Sequence, residues 1–230
     1  MRRRALLALS LATVAALSPL AGQDTRPGIA VLPFENGGSY GQDKENFEAL
    51  QKGIPGMLIS ELSQNPAARV VDRDGIESML AEQNLAKDGR VDAATAARIG
   101  KLVGARYMIM GSFVDLYGRF RMDARIVNVE TSEIVKVVKS DGKREDLFKL
   151  IQTLAEKLMV ETRLPPLPAE LGAAVRQRNV PTAALTYYSR ALLYQDRGEK
   201  DKAAEFFSKA IEAFPNYAEA QEGLRKVQGS

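Results

Sequence analysis

The sequence predicts an α/β fold: a mixed sheet in the order βαβααβββα packed with helices, then an all-α helical hairpin. Three observations carry this. An apolar run at residues 29–34 is followed by apolar residues at helical spacing, the start of a strand–helix unit. Three strand patterns then succeed one another between residues 107 and 138 with only turns between them, which is an antiparallel meander. Beyond a proline-rich break, residues 182–197 and 200–214 each repeat small and aromatic side chains at helical spacing.

Residues 1–22 read as a signal peptide. Arg2, Arg3 and Arg4 form a positive start, and residues 5–17 are small, apolar or hydroxylated. Pro19 breaks the helix, and Ala21 and Gly22 offer a cleavage point before Gln23. The apolar run is too short for a membrane span, and no later stretch approaches the length of one. Export changes the charge reading. The chain has 32 Lys and Arg against 29 Asp and Glu, net +3; three of those arginines lie in the leader, which holds no acid, so the remainder carries 29 of each. A neutral mature chain offers no electrostatic basis for a nucleic-acid partner.

The elements follow in order. Residues 29–34 form a buried strand, ended by Pro33 and a glycine loop at 36–41. The next helix places Phe47, Leu50, Ile54, Met57, Leu58 and Leu62 on one face; Gly53, Pro55 and Gly56 inside it predict a kink or a restart. Residues 69–71 are a short strand. A helix over 75–85 turns Ile76, Met79 and Leu80 inward, with Asp74 as N-cap and Glu77 closing a capping box. Asp92 caps a third helix over 93–103 with Ala96, Ile99 and Leu102 on one face, and Gly104 stands where a C-terminal cap residue belongs. Residues 107–114 are apolar on both faces, as in a central strand. Tyr117-Gly118 makes a tight turn. Over 119–129, Phe120, Met122, Ala124 and Ile126 alternate with Arg121, Asp123 and Arg125, so one face is buried and one charged. Thr131-Ser132 turns into a last strand over 134–138. A helix over 145–161 buries Leu147, Leu150, Ile151, Leu154 and Leu158. Residues 164–168, Leu-Pro-Pro-Leu-Pro, cannot continue it. The expected organisation is a leader at 1–22, an α/β domain at 23–163, a proline-containing linker at 164–181, and a helical hairpin with a capping helix at 182–230.

Composition removes much chemistry. The chain has no histidine and no cysteine. That excludes Ser-His-Asp and Cys-His catalysis, zinc sites built on His or Cys, disulfides, and lipid attachment at a cysteine. Residues 72–75, Asp-Arg-Asp-Gly, lack the further oxygen ligands of a calcium loop. The glycine loop at 36–41 matches neither GxGxxG nor GxxxxGK[ST]. No catalytic residue, cofactor or metal ligand is expected.

The carboxy-terminal hairpin carries a specific register: Tyr187, Ala191, Tyr194, Ala203, Phe207, Ala210 and Pro215. These residues resemble the tetratricopeptide repeat, covering one repeat of helix–turn–helix, with the alanines allowing close approach and Pro215 stopping the second helix. One repeat cannot bury its own faces, so it packs on the α/β domain, on a copy of itself, or on a partner. Repeat geometry assigns Leu185, Tyr188, Leu192, Gln195 and Asp196 to a face that would meet a bound peptide.

Residues 29 to about 160 resemble the periplasmic domain of the CsgG family of curli secretion proteins, and the related amino-terminal domain of TolB-like envelope proteins. The carrying segments are 29–34, 57–62 with 70–80, 107–112 and above all 125–134, Arg-Ile-Val-Asn-Val-Glu-Thr-Ser-Glu-Ile, where the family often has Gly at the place of Ser132. The chain departs from the family's secretion channel in two ways. It has no cysteine to lipidate. Only residues 115–118 stand where the channel inserts a long membrane hairpin, and the second insertion, after the strand at 134–138, is also missing. A membrane strand needs about nine to eleven residues, so channel activity does not carry over.

The resemblance implies a non-enzymatic, exported periplasmic envelope protein without an integral membrane span. It would act as a protein-binding adaptor or as an assembly- or secretion-associated factor for other envelope proteins or peptides. Binding would use the hairpin, the Arg121/Asp123/Arg125 face, or homo-oligomerisation as in the family. Two alternatives stay open: a nucleotide- or sugar-phosphate-binding domain using the loop at 36–41, and an accessory subunit, peripheral to the outer membrane, of a curli-type secretion complex.

Overall fold

The structure is a computed structural model and describes residues 24–39, 44–82 and 91–229. Residues 1–22, read from the sequence as a leader, Tyr40 and Gly41 of the glycine loop, and the 83–85 end expected for the second helix lie outside the described residues. Strands β1 (Gly28–Asn36), β2 (Arg69–Val70), β3 (Tyr107–Leu116), β4 (Arg119–Asn128) and β5 (Ile134–Lys143) form one mixed sheet in the order β2-β1-β3-β4-β5. β1 pairs in parallel with β2 and β3, and β3, β4 and β5 form the expected antiparallel meander. Helices α1 (Lys44–Ser63), α2 (Arg73–Glu82), α3 (Ala93–Leu102) and α4 (Leu147–Glu161) complete the predicted order; α5 (Ala169–Gln177), α6 (Thr182–Asp196), α7 (Lys200–Ala213) and α8 (Ala218–Gly229) follow.

Side-chain alternation along the strands sends one set of residues to each face. Ile29, Val31, Phe34, Ile109, Phe113, Phe120, Met122 and Ile126 pack against α1 and α4. Ala30, Leu32, Met108, Met110 and Val127 pack against α2 and α3. Tyr117 and Gly118 both have positive φ, 54° and 91°, and close a two-residue hairpin between paired Leu116 and Arg119. Buried Asp115 holds that turn, accepting from Gly118 N–H at 2.8 Å and pairing with Arg144.

Four expectations shift. α1 runs unbroken through Pro55, with no restart; Gly53, Pro55 and Gly56 are all buried, and packing on both flanks overrides the loss of one backbone bond. The N-cap of α2 is Asp72, whose Oδ1 accepts from Gly75 N–H at 2.6 Å; Asp74 lies inside the first turn, and Glu77 instead pairs with Lys52 at 3.0 Å. Leu102 ends α3 half exposed, whereas Ala96 and Ile99 are buried. β5 continues to Lys143 because Ser140 and Gly142 keep the inward alternation. A Cβ on Gly142 would come within 2.9 Å of Leu150, so glycine lets α4 lie close to a stretch that reads as a polar turn. Asp92 and Gly104 cap α3 as expected: Asp92 accepts from Thr95 N–H at 2.7 Å, and Gly104 has φ of 66°.

Candidate functional site

The carboxy-terminal helices form an antiparallel hairpin with a third helix against it. Ala191, Ala203 and Ala210 are fully buried where α6 crosses α7, which brings the two backbones close. Phe207 is buried between them, Tyr194 stacks on Phe206 at 5.4 Å, and half-buried Tyr187 lies 6.3 Å from the same ring. Pro215 follows the last residues of α7.

The other face of α6 is covered by α1. A Cβ on Gly53 would overlap the Ser189 side chain, and one on Gly56 would lie 3.2 Å from both Leu192 and the Tyr188 hydroxyl. Two glycines three residues apart thus form the flat strip on which α6 rests. α8 closes over the same helix: Tyr217 donates to the Met57 sulfur at 3.1 Å, and Ser60 hydrogen-bonds Glu219. Charged groups fence the contact. Arg190 reaches Glu45 at 2.5 Å, Arg197 reaches Glu48 at 2.6 Å, and Asp196 is held by Arg73 and, at 3.2 Å, by Lys52.

The residues expected to meet a peptide are therefore placed otherwise. Leu185, Tyr188 and Leu192 are 0%, 6% and 5% exposed and pack within the molecule. Gln195 is half-buried, and the Asp196 carboxylate is taken by Arg73 and Lys52. A lone repeat must bury its faces somewhere, and α1 fills the groove as a partner helix would. Tyr188, Leu192 and Gln195 also border a cavity of about 270 Å³ shared with Arg73 and Glu219.

Buried acids join the halves further. Glu61 is 2% exposed and pairs with Arg178 at 3.2 Å, and the same guanidinium binds Glu219 and lies 5.4 Å from the Phe148 ring. Burial raises the Glu61 pKa, opposed by Arg178 and by Gln152. Burial pushes Glu219 up as well, but Arg178 and Ser60 outweigh it and hold Glu219 below its ordinary value. Arg178 lies just after α5, in the segment read as a linker; Leu164 and Val180 of that segment are buried. Sequence reasoning missed Gly53, Gly56, Glu61 and Arg178. The glycine pair was visible, but reads as a helix break when its neighbour is unknown.

Two other expected sites can be placed. Arg121, Asp123 and Arg125 lie on the stretch of β4 that α3 leaves open beyond buried Val127, with Arg121 clamped on Asp123 through two bonds of 2.8 Å. Val135 and Val137 extend this face on β5, half exposed. In the glycine loop, Asn36 accepts from Gly38 and Ser39 N–H at 3.2 and 2.9 Å, and Gly37 N–H donates to Phe113 O at 2.7 Å. These three backbone donors are used internally, which leaves none of them for a phosphate.

Residues 11–121 match the family described as curli production assembly/transport component CsgG, and residues 184–217 match the tetratricopeptide repeat. The chain carries a CsgG-like domain followed by a tetratricopeptide repeat. The first match ends at Arg121, so the CsgG-like resemblance of 125–134 stands on the residues alone. Solved structures similar to part of the chain include three. The LpoB C-terminal domain from Salmonella enterica is 20% identical, over 54% of this chain and 87% of that one, with a TM-score of 0.38. Lipoprotein GNA1162 from Neisseria meningitidis is 12% identical, over 58% and 98%, with a TM-score of 0.41. The PelC dodecamer from Paraburkholderia phytofirmans is 12% identical, over 64% and 93%, with a TM-score of 0.39. No curated protein matches the chain. Among the described residues, no helix of the CsgG-like domain or the repeat is long and apolar enough to cross a membrane, and no group of three acids could hold a metal ion.

Proposed function

We propose that the protein is a non-enzymatic periplasmic adaptor of the cell envelope, which binds other proteins through surfaces fixed by the union of its two halves. The observation that supports this best is the docking of α1 in the repeat's groove. It makes the CsgG-like domain and the repeat one rigid support, and it moves the contact surface away from the groove. The open stretch of β4 and β5 fits that role: it mixes Arg121, Asp123 and Arg125 with half-exposed Val135 and Val137, the amphipathic make-up of a contact face.

Cross-linking in intact cells followed by purification of the tagged chain tests the reading. Envelope proteins linked to the wild type and lost from an Arg125→Glu, Val137→Glu variant of unchanged fold are expected. Links that survive this variant, or recovery of the chain from the cytoplasm alone, would refute it.

A further inference from the structure

Beside the carboxyl end of β1 lies a cavity of about 230 Å³. It exists because β2 is two residues long. β1 pairs with it only at Gly28 and Ile29 and, among the described residues, has no strand on that side further along. The strand order gives the place meaning. From β1 the chain goes to one side, to β2, and then returns on the other, to β3. Open α/β sheets bind ligands at this switch point, outside the carboxyl ends of the strands.

The lining defines the ligand class. Leu32, Leu80, Met110 and Leu193 make an apolar floor. The polar lining is Glu35, Glu48, Gln51, Glu77 and one cation, Lys52, whose ammonium is held by Glu77 at 3.0 Å and by Asp196 at 3.2 Å. Glu48 faces Arg197, and Glu35 makes no ion pair among the described residues. The lining is therefore net negative, and its one ammonium is already neutralised. An anion such as a phosphate is repelled, and the nearby Gly37, Gly38 and Ser39 N–H groups are engaged elsewhere. The acids do not converge as a metal-binding group.

We propose that this cavity binds a small organic cation: an ammonium on a compact apolar body, the body on the floor and the charge at Glu35. The site goes beyond the adaptor reading and does not depend on it. Pockets with an apolar body and a few placed polar groups are the usual form of small-ligand sites.

Ligand-observed NMR and calorimetry on the full mature chain test this with benzylamine, cyclohexylamine and cadaverine, against benzoate and inorganic phosphate. At least one amine saturates in the millimolar range expected of about eight non-hydrogen atoms. Benzoate and phosphate do not. Glu35→Gln weakens the amine roughly tenfold, and Glu35→Lys abolishes it, both with unchanged circular dichroism. The proposal is overturned if none of the three amines saturates, if benzoate or phosphate binds as well as the best amine, or if both Glu35 variants bind as the wild type does.

Discussion

The α1–α6 contact and the outer side of β4–β5 are both surfaces that sequence patterning marks for recognition, and they have opposite fates. The first is lined by glycine, serine and aromatic residues, and is closed by the chain itself. The second, over residues 121–125 and 135–137, alternates charge with half-exposed valine and stays open to solvent, α3 covering only its Val127 end. A repeat's register says which residues share a face. What fills that face depends on whether another helix of the chain has a strip flat enough to enter it.

The largest test of this contrast is Tyr188→Ala. Were its face an empty groove, the change would weaken partner capture and leave folding intact. In the structure Tyr188 is 6% exposed, with its ring 5.1 Å from Tyr217 and 6.1 Å from Phe207. Truncating a buried aromatic costs about 3–5 kcal/mol, a large part of a typical domain's stability. Urea denaturation is expected to show that loss; a variant as stable as the wild type would reopen the groove.

Gly53→Val comes next. Its branched side chain would overlap Ser189, and overpacking of this kind costs about 1–3 kcal/mol. The comparison sharpens with Gly53→Ala alone and combined with Ser189→Gly, since the second change removes the two nearest atoms that the first would meet, the Ser189 Oγ and Cβ, and leaves the backbone Cα at 3.1 Å. Recovery of the urea midpoint in the double variant, and not with Ser189→Gly alone, isolates the contact. Limited proteolysis at residues 164–181, faster in Gly53→Val, would report a loosened hairpin.

Glu61→Gln gives a smaller, pH-dependent effect. The folded state raises the Glu61 pKa above its ordinary 4.5, so the folded chain takes up this proton first as pH falls. The stability linked to it is complete below 4.5 and is lost as pH rises through the raised value. Glu219 works in the opposite sense: its lowered pKa contributes stability above 4.5 that disappears as pH falls. Glutamine at 61 removes the first component and keeps the second. Denaturation from pH 4 to pH 7 should then show the variant gaining on the wild type as pH rises; a constant difference would mean that Glu61 titrates alike in both states.

How much of this was legible follows from where each signal resides. The strand alternation of β4, the Asp92 and Gly104 caps and the Ala191/Ala203/Ala210 crossing are set by neighbours close in sequence or by a fixed repeat, and all are readable. The length of β5 was not, because Ser140 and Gly142 look like a turn until α4 is seen to need a residue without a Cβ there. The Gly53/Gly56 strip meets residues more than a hundred positions away, and the Glu61–Arg178–Glu219 network spans separations of 117 and 41, so no local pattern encodes either. The cavity beside β1 arises from a strand that stops short, a feature that periodicity cannot report.

On the β4–β5 side the effects are smaller still. Ser132, in the turn that joins these strands, has φ of 61°, a region that costs a non-glycine residue about 1–2 kcal/mol. Ser132→Gly relieves this, less the greater freedom that glycine loses on folding, for a net gain of about 0.5–1 kcal/mol in urea denaturation. A loss would mean that the serine hydroxyl has a role beyond backbone shape.

The smallest change is expected from Arg121→Ala combined with Arg125→Ala. Arg121 is half exposed and bonded to Asp123 within its own strand, so its removal uncovers no core and leaves Asp123 opposite Lys139 on β5. Exposed pairs of this kind contribute little to folding because water solvates both partners almost as well. The melting temperature should stay within about 2 °C of the wild type, where a 1 kcal/mol loss would already move it by about 2–4 °C. A larger fall would make this face structural, as the α6 face is, and the contrast between the two would disappear. An unchanged melting curve together with lost cross-links would separate the surface that holds the molecule together from the surface it presents.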